Sequence, residues 1–192
     1  MNTIRFFFLL MLLVGINVTT TTAQSKYFTR TGTVIFDAEG KLDDVEEIKA
    51  KNTVATCVLD AESGQMEWSV TMNKFDFTST LMEKHFNENY VESEKYPKAT
   101  FKGKINDVNK VNFAKDGTYP VTVLGTMNLH GVTKEISAKG VVTVEKGKIL
   151  VSSSIELMLK DYKIDIPTVV FVKIAESAKV SISAALEILK GK

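Results

Sequence analysis

The sequence predicts an all-β fold: an antiparallel barrel of about eight strands with one short inserted helix. Three observations support this prediction. Most of the chain alternates apolar and polar residues, short turn sequences separate the alternating runs, and a single segment has helical spacing. Period-2 alternation is typical of strands with one buried face, and short turns favour antiparallel hairpins. About eight such strands can close around one small ligand. A two-sheet sandwich stays open as an alternative, because periodicity alone does not show closure.

The first 23 residues have the pattern of a cleavable signal peptide. Arg5 precedes an apolar run at 6–14, and the small residues Thr21 and Ala23 stand where cleavage is expected. The apolar run is roughly half of the ~20 residues that a membrane-spanning helix needs. We therefore expect cleavage near Ala23, a mature domain of residues 24–192, and a periplasmic or secreted location.

Composition narrows the class of the mature chain. Its length suits one domain with one sizeable core. The chain has 24 Lys+Arg and 23 Asp+Glu, and Arg5 is the one charged residue of the predicted signal peptide, so the mature formal charge is zero. Such a chain has no global electrostatic footprint for nucleic acid or an anionic membrane. The lone Cys57 is expected to be buried, with intermolecular pairing as a minor alternative.

The strands can be placed in order along the chain. Long alternating runs predict strands at 66–72, 119–129, 136–144, 149–159 and 180–188. Shorter strands are expected at 28–36, 53–59, 99–105 and 169–174. The turn sequences at 62–64, 115–117 and 145–148 lie between these runs, as hairpins require.

One segment, 80–91, predicts the inserted helix instead of a strand. Leu81, Met82, His85, Phe86 and Tyr90 recur at helical spacing, with polar residues between them. The residue at 79 or 80 is the expected N-cap, and a Glu three positions after Thr80 suits a capping box. A helix at this place is expected to cover one mouth of the barrel.

Two segments carry a resemblance to a known family. The first is His-Phe-Asn-Glu-Asn-Tyr-Val-Glu-Ser-Glu-Lys-Tyr-Pro-Lys-Ala-Thr-Phe at 85–101, and the second is Gly-Thr-Met-Asn-Leu-His-Gly-Val-Thr-Lys at 125–134. Together and in this order they resemble the YceI-like family of lipocalin-like periplasmic proteins associated with polyisoprenoid binding. The resemblance implies a lipocalin-like barrel that sequesters or carries an amphiphilic hydrophobic ligand, with an isoprenoid-type lipid as the candidate.

The inward faces of the predicted strands supply the candidate ligand contacts. Trp68 to Phe77 are expected to follow one another along one long strand, and Met and aromatic side chains suit a flexible apolar chain. Small inward residues, such as those at 103, 125, 138 and 153, are expected to leave room for a cavity. A solid core filled by its own side chains is the alternative. The predicted contacts are Trp68, Val70, Met72, Phe75, Phe77, His85, Phe86, Tyr90, Phe101, Val121, Val123, Met127 and Leu157.

Little in the sequence indicates other chemistry. His85 is expected either to meet a ligand headgroup or to be satisfied by a neighbouring carbonyl, and His130 is expected to face solvent at a turn. We expect no catalytic residue, metal site or cofactor, because the chain has neither metal-ligand spacing nor a Gly-x-Ser-x-Gly or phosphate-binding glycine motif.

Two alternative functions remain open. One is a solid scaffold that binds other proteins in envelope stress or adhesion through 43–47 or 87–92. The other is an enzyme with a polar site inside the barrel. The expected partner is a hydrophobic small molecule, without nucleic acid or a membrane span.

Overall fold

The computed structural model describes residues 26–39, 48–166 and 174–189. The predicted signal peptide and the acidic segment 43–47 lie outside these residues. So does the predicted strand at 169–174, apart from its last residue.

The described strands form one closed antiparallel barrel. The strands are β1 Lys26–Glu39, β2 Lys49–Asp60, β3 Gln65–Thr71, β4 Asp76–Phe77, β5 Lys98–Ile105, β6 Gly117–Leu129, β7 Val132–Glu145, β8 Lys148–Met158 and β9 Ile174–Ile188, with helix α1 at Thr80–His85. The sheet runs β1-β9-β8-β7-β6-β5-β3-β2, β4 adds to β2, and a β1–β2 pairing closes the ring. The predicted barrel of about eight strands is confirmed, and the sandwich alternative is wrong.

Two tight hairpin turns connect β6 to β7 and β7 to β8. His130 and Gly131 have φ values of 51° and 73°, and Lys146 and Gly147 have 50° and 78°. Positive φ at both central residues is the geometry of a type I′ turn, whose twist matches that of the flanking strands. The two long hairpins follow from these turns.

One predicted strand is interrupted, which corrects the expectation of a single strand from Trp68 to Phe77. β3 ends at Thr71, a single 3₁₀ turn spans Met72–Lys74, and β4 then resumes pairing with β2. The fully buried Asn52 of β2 fills the gap: its Nδ2 donates to the Thr71 carbonyl at 2.9 Å, and its Oδ1 accepts from Val54 N at 2.9 Å. The side-chain amide thus replaces ladder bonds that the turn removes.

The inserted helix is where the sequence predicts it, but its second half differs. Ser79 is the N-cap, accepting from Met82 N at 3.4 Å, so the expected capping box from Thr80 is wrong. α1 ends at His85, and a wider π turn follows over Phe86–Tyr90. Val91 N donates to the Phe86 carbonyl at 2.9 Å across that turn. The change of pitch brings both Phe86 and Val91 into the buried core.

The two ends of the barrel are closed in different ways. The hairpin end carries the connections 61–64, 106–116 and 146–147, and the helix end carries the segment 72–97 with α1 and the turn 130–131. Several aliphatic side chains fill the hairpin end and are less than 2 % exposed: Leu59, Ile105, Val142, Ile149 and Leu186. The lone Cys57 is buried too, as predicted, and burial raises the pKa of its thiol to about 12.

Candidate functional site

A cavity of about 150 Å³ lies inside the barrel, from its middle to the helix end. Seven strands and the segment around α1 contribute to its wall. The lining residues are Val34, Phe36, Met66, Trp68, Val70, Met72, Phe75, Phe86, Val91, Ala99, Thr100, Phe101, Val123, Met127, Leu129, Ile136, Ala138, Ser153, Ile155, Leu157, Leu159, Ile164, Ala178, Val180 and Ile182. The interior is therefore hollow over this part of its length.

The wall of this cavity is apolar. Thr100 and Ser153 are the two lining residues with a hydroxyl group. The lining contains no Asp, Glu, Lys, Arg or His side chain. Ser153 Oγ already donates to the Lys139 carbonyl at 2.8 Å. Such a wall offers apolar contact and few hydrogen bonds, which suits a hydrocarbon group.

Nine of the thirteen predicted contacts line this cavity. They are Trp68, Val70, Met72, Phe75, Phe86, Phe101, Val123, Met127 and Leu157. Period 2 explains most of them, since alternate residues of a strand share a face. Their contact with a ligand stays a prediction.

The other four predicted contacts lie elsewhere. Phe77 and Tyr90 line a second, smaller cavity, and Val121 is partly buried without lining either one. His85 is exposed and lines neither cavity, and its Nδ1 lies 2.9 Å from Asn89 Nδ2. The expected carbonyl partner is therefore wrong, and contact with a ligand headgroup stays a prediction. His85 is the last residue of α1, a helix without fully buried residues, and the buried Phe86 follows it.

Several lining residues are absent from the predicted contacts although the sequence carries a signal for them. Alternate residues of β1, Val34 and Phe36, and of β9, Val180 and Ile182, line the cavity, as period 2 allows. Leu159 continues the alternation of the strand predicted at 149–159, although it lies in the turn that follows β8. Two others, Val91 and Ile164, come from irregular segments without periodicity, and for these chain topology decides the contact.

Glycines in the wall make room for rings and do not enlarge the cavity. A Cβ on Gly103 would lie 2.4 Å from Phe101 Cζ, and one on Gly125 would lie 2.8 Å from the same atom. A Cβ on Gly32 would lie 3.0 Å from Trp68 Cζ3. The expectation that residues 103 and 125 leave open space is therefore wrong, because the Phe101 ring occupies that space. The small residues at 138 and 153 do line the cavity.

The second cavity, of about 40 Å³, lies between α1 and the barrel. It is lined by Phe36, Ile48, Phe77, Met82, Phe86, Tyr90, Val91, Leu159, Ile164 and Ile166. Burial raises the pKa of the Tyr90 phenol, in keeping with this apolar setting. The helix thus covers a small apolar space of its own at this end of the barrel.

A polar cluster around His130 holds the helix end together. Only 9 % of the His130 side chain is exposed. Its Nδ1 donates to the Tyr162 carbonyl at 3.0 Å, and its Nε2 lies 2.7 Å from Glu92 Oε2. The expectation that His130 faces solvent is wrong, because the turn directs the ring under the segment that follows α1. The hydrogen bond from His130 holds the pKa of the Glu92 carboxyl below its usual range.

Aromatic packing completes this cluster. The Tyr96 and His130 rings meet edge to face with centroids 4.6 Å apart, and Lys95 Nζ lies 4.9 Å from the Tyr96 centroid. A Cβ on Gly131 would lie 2.6 Å from Tyr96 Cε1, so glycine meets both the positive φ and the close approach of the ring. The cluster links the β6–β7 turn, the segment after α1 and the turn after β8.

Within residues 26–39, 48–166 and 174–189, no three His, Cys, Asp or Glu side chains converge as metal ligands. The same ranges contain no helix long and apolar enough to cross a membrane.

Solved structures share this architecture. A polyisoprenoid-binding domain from Saccharophagus degradans, implicated in plant cell wall breakdown, has a TM-score of 0.74 at 17% identity, over 87% of this chain and 100% of that chain. Burkholderia cenocepacia BcnA has a TM-score of 0.64 at 12% identity, over 81% and 96%. The Campylobacter jejuni YceI protein has a TM-score of 0.60 at 17% identity, over 79% and 90%. At these identities the likeness shows the fold.

Sequence comparison supplies the family. No match was found among the curated proteins. The family described as the YceI-like domain matches residues 16–186, nearly the whole chain. That match includes both segments on which the resemblance rested, at 85–101 and 125–134. The chain is therefore a member of the YceI-like family.

Proposed function

We propose that this protein is exported and binds an amphiphilic lipid with an isoprenoid-type chain, which it sequesters from water inside the barrel. The observation that carries the proposal is the apolar cavity of about 150 Å³ within a closed barrel. The polyisoprenoid-binding domain from Saccharophagus degradans has the same fold, which supports the choice of ligand class. The pattern of residues 1–23 supports export.

The volume of the cavity indicates how much of an isoprenoid chain it can hold. A dry, apolar cavity of about 150 Å³ in another protein holds a benzene molecule. A five-carbon isoprenoid unit is of similar size, so the cavity accommodates about one such unit as it stands. A longer chain fits only if lining side chains change conformation. Three lining residues have flexible side chains suited to such a change: Met66, Met72 and Met127. Each methylene buried contributes about 0.8 kcal/mol, without any polar contact.

The alternative functions have less support. A solid interior, which the scaffold hypothesis requires, is at odds with the cavity. An enzyme would need converging polar groups inside the barrel, and the cavity wall offers the hydroxyls of Thr100 and Ser153. We therefore favour a binding protein over both.

The test begins with the ligand and continues with a matched pair of variants. Mass spectrometry of organic extracts from the purified protein should find an apolar-chain lipid. Val123→Trp should then fill the cavity and abolish binding of added geraniol, because Val123 lines the cavity. Overpacking of this kind costs about 1–3 kcal/mol, so the fold should survive. Leu124→Trp is the control: the neighbouring residue is 51 % exposed and faces outward.

Calorimetric titration with geraniol checks both variants, with circular dichroism to verify the fold. Binding should be lost in Val123→Trp and kept in Leu124→Trp. Equal binding by both folded variants, or no binding by the unmodified protein, would contradict the proposal.

A further inference from the structure

The two cavities at the helix end share one wall. Five residues line both the larger cavity of about 150 Å³ and the smaller one of about 40 Å³: Phe36, Phe86, Val91, Leu159 and Ile164. Both spaces are apolar, and these side chains are what separates them. A hydrocarbon chain that fills the larger cavity would therefore meet this wall before it reached the space under α1.

Phe86 is the central element of the wall. It is buried, with 5 % exposed, and its ring packs against three others. The centroid distances are 5.7 Å to Phe36, 5.5 Å to Phe75 and 5.0 Å to Phe77. Phe75 lines the larger cavity alone and Phe77 the smaller one alone. The Phe86 ring thus contacts Phe75 on the side of the larger cavity and Phe77 on the side of the smaller one.

Phe86 is also the ring of this shared wall that lies outside the strands. Phe36 belongs to β1 and is paired with Ala50 on one side and Val180 on the other. Phe86 belongs to no strand and lies where α1 gives way to a π turn. None of the six residues of α1 is fully buried, and Met82 is its partly buried contact with the core. Phe86 and Val91 are buried in the turn that follows. Because the Phe86 backbone takes no part in strand pairing, its substitution leaves the hydrogen bonds of the barrel in place.

We propose that Phe86 sets the length of the apolar chain that the barrel accepts, by closing the larger cavity toward the smaller one. The proposal rests on the proposed function. Removing the ring joins the two spaces into one continuous apolar cavity that extends under α1. Chains that end at Phe86 in the unmodified protein then gain room for a further part of their length. Phe86 is in this sense a specificity-determining residue for chain length.

The experiment compares chain-length series. Affinities of prenol, geraniol, farnesol and geranylgeraniol, with 5, 10, 15 and 20 carbons, are measured by calorimetric titration. In the unmodified protein the affinity should rise with length until the chain reaches Phe86 and then level off. In Phe86→Ala the space vacated by the ring adds to the smaller cavity of about 40 Å³, so the affinity should keep rising for about one further isoprenoid unit. The gain for that longer alcohol should be about tenfold or more, because additional methylenes are buried.

Phe77→Ala is the matched control. It removes the same ring from a residue that is also buried and borders the smaller cavity alone. Because Phe86 remains in the wall, the affinity should level off at the same length as in the unmodified protein. If circular dichroism shows Phe86→Ala to be unfolded, Phe86→Leu takes its place and should move the levelling point in the same direction.

The outcomes separate the two proposals. Binding by the unmodified protein with no change in the levelling point in the folded Phe86 variant overturns the role of Phe86 and leaves the proposed function standing. An equal change in Phe77→Ala overturns it as well. No binding of any of the four alcohols by the unmodified protein overturns the proposed function itself.

Discussion

The hairpin end and the helix end of the barrel are built from the same strands but filled differently. At the hairpin end, Leu59, Ile149 and Leu186 are at most 1 % exposed and do not line the cavity. At the helix end the strands surround a cavity of about 150 Å³, and the space is closed by a short helix and a cluster around His130. One barrel thus combines a packed core with a hollow.

The contrast between the packed hairpin end and the hollow helix end indicates how such a barrel could bind a ligand and keep its fold. In the closely packed end, each buried side chain contacts other atoms on all sides. Large aliphatic side chains therefore stabilise the folded state most at that end. A cavity forgoes part of these contacts, so the hollow end needs other means of closure. The bonds of His130 to Glu92 and Tyr162 are such a means. The interpretation of a solid core describes the hairpin end, and the interpretation of a hollow interior describes the helix end.

Leu59→Ala should give the largest loss of stability. Leu59 is fully buried in the packed end, and truncation of such a side chain costs about 2–5 kcal/mol. Met127→Ala is the comparison at the hollow end, where a partly buried residue already borders empty space, and about 1 kcal/mol is expected. Urea denaturation monitored by circular dichroism measures both. Equal losses would mean that the two ends are packed alike.

His130→Ala should have an intermediate effect, confined to the helix end. The substitution leaves the carbonyl of the buried Tyr162 without its partner, at a cost of about 1–3 kcal/mol. Glu92 loses its bond to His130 and keeps its ion pair with Lys95, at 3.7 Å. His85→Ala is the control, because that histidine is exposed and should change the free energy of unfolding little. Hydrogen exchange should localise the loss to the segment after α1. A uniform loss across all strands would refute the assignment to that end.

The smallest effect concerns acid stability. Because the folded state lowers the Glu92 pKa below its ordinary value of 4.5, ionised Glu92 stabilises the fold above that pH. This contribution is lost as the pH falls below 4.5 and through the folded-state pKa. Glu92→Gln should therefore show a shallower fall in the free energy of unfolding across this acid range than the unmodified protein. Parallel curves in urea titrations between pH 5 and pH 3, roughly the carboxylate range, would contradict it.

Many residues that line the larger cavity could be predicted from the sequence, because alternation along a strand is a local pattern. Alternation assigns Trp68, Val123, Met127 and Leu157 to the inward face, because successive side chains of a strand point to opposite sides. It fails where the backbone leaves the ladder. The turn at Met72–Lys74 breaks the expected long strand, and Asn52, a residue on another strand, makes that break possible.

Most of the strands, the two tight hairpin turns, the place of the helix and the family follow from the sequence, because these depend on period 2, positive-φ turn residues and local motifs. Packing between distant strands decided where the barrel is hollow. Ala138 and Ser153 leave space while Gly103 and Gly125 do not, because the Phe101 ring lies over the two glycines. It also decided that His130 is buried and His85 exposed. Such outcomes depend on which side chains from distant strands meet, and that information is not local to any segment.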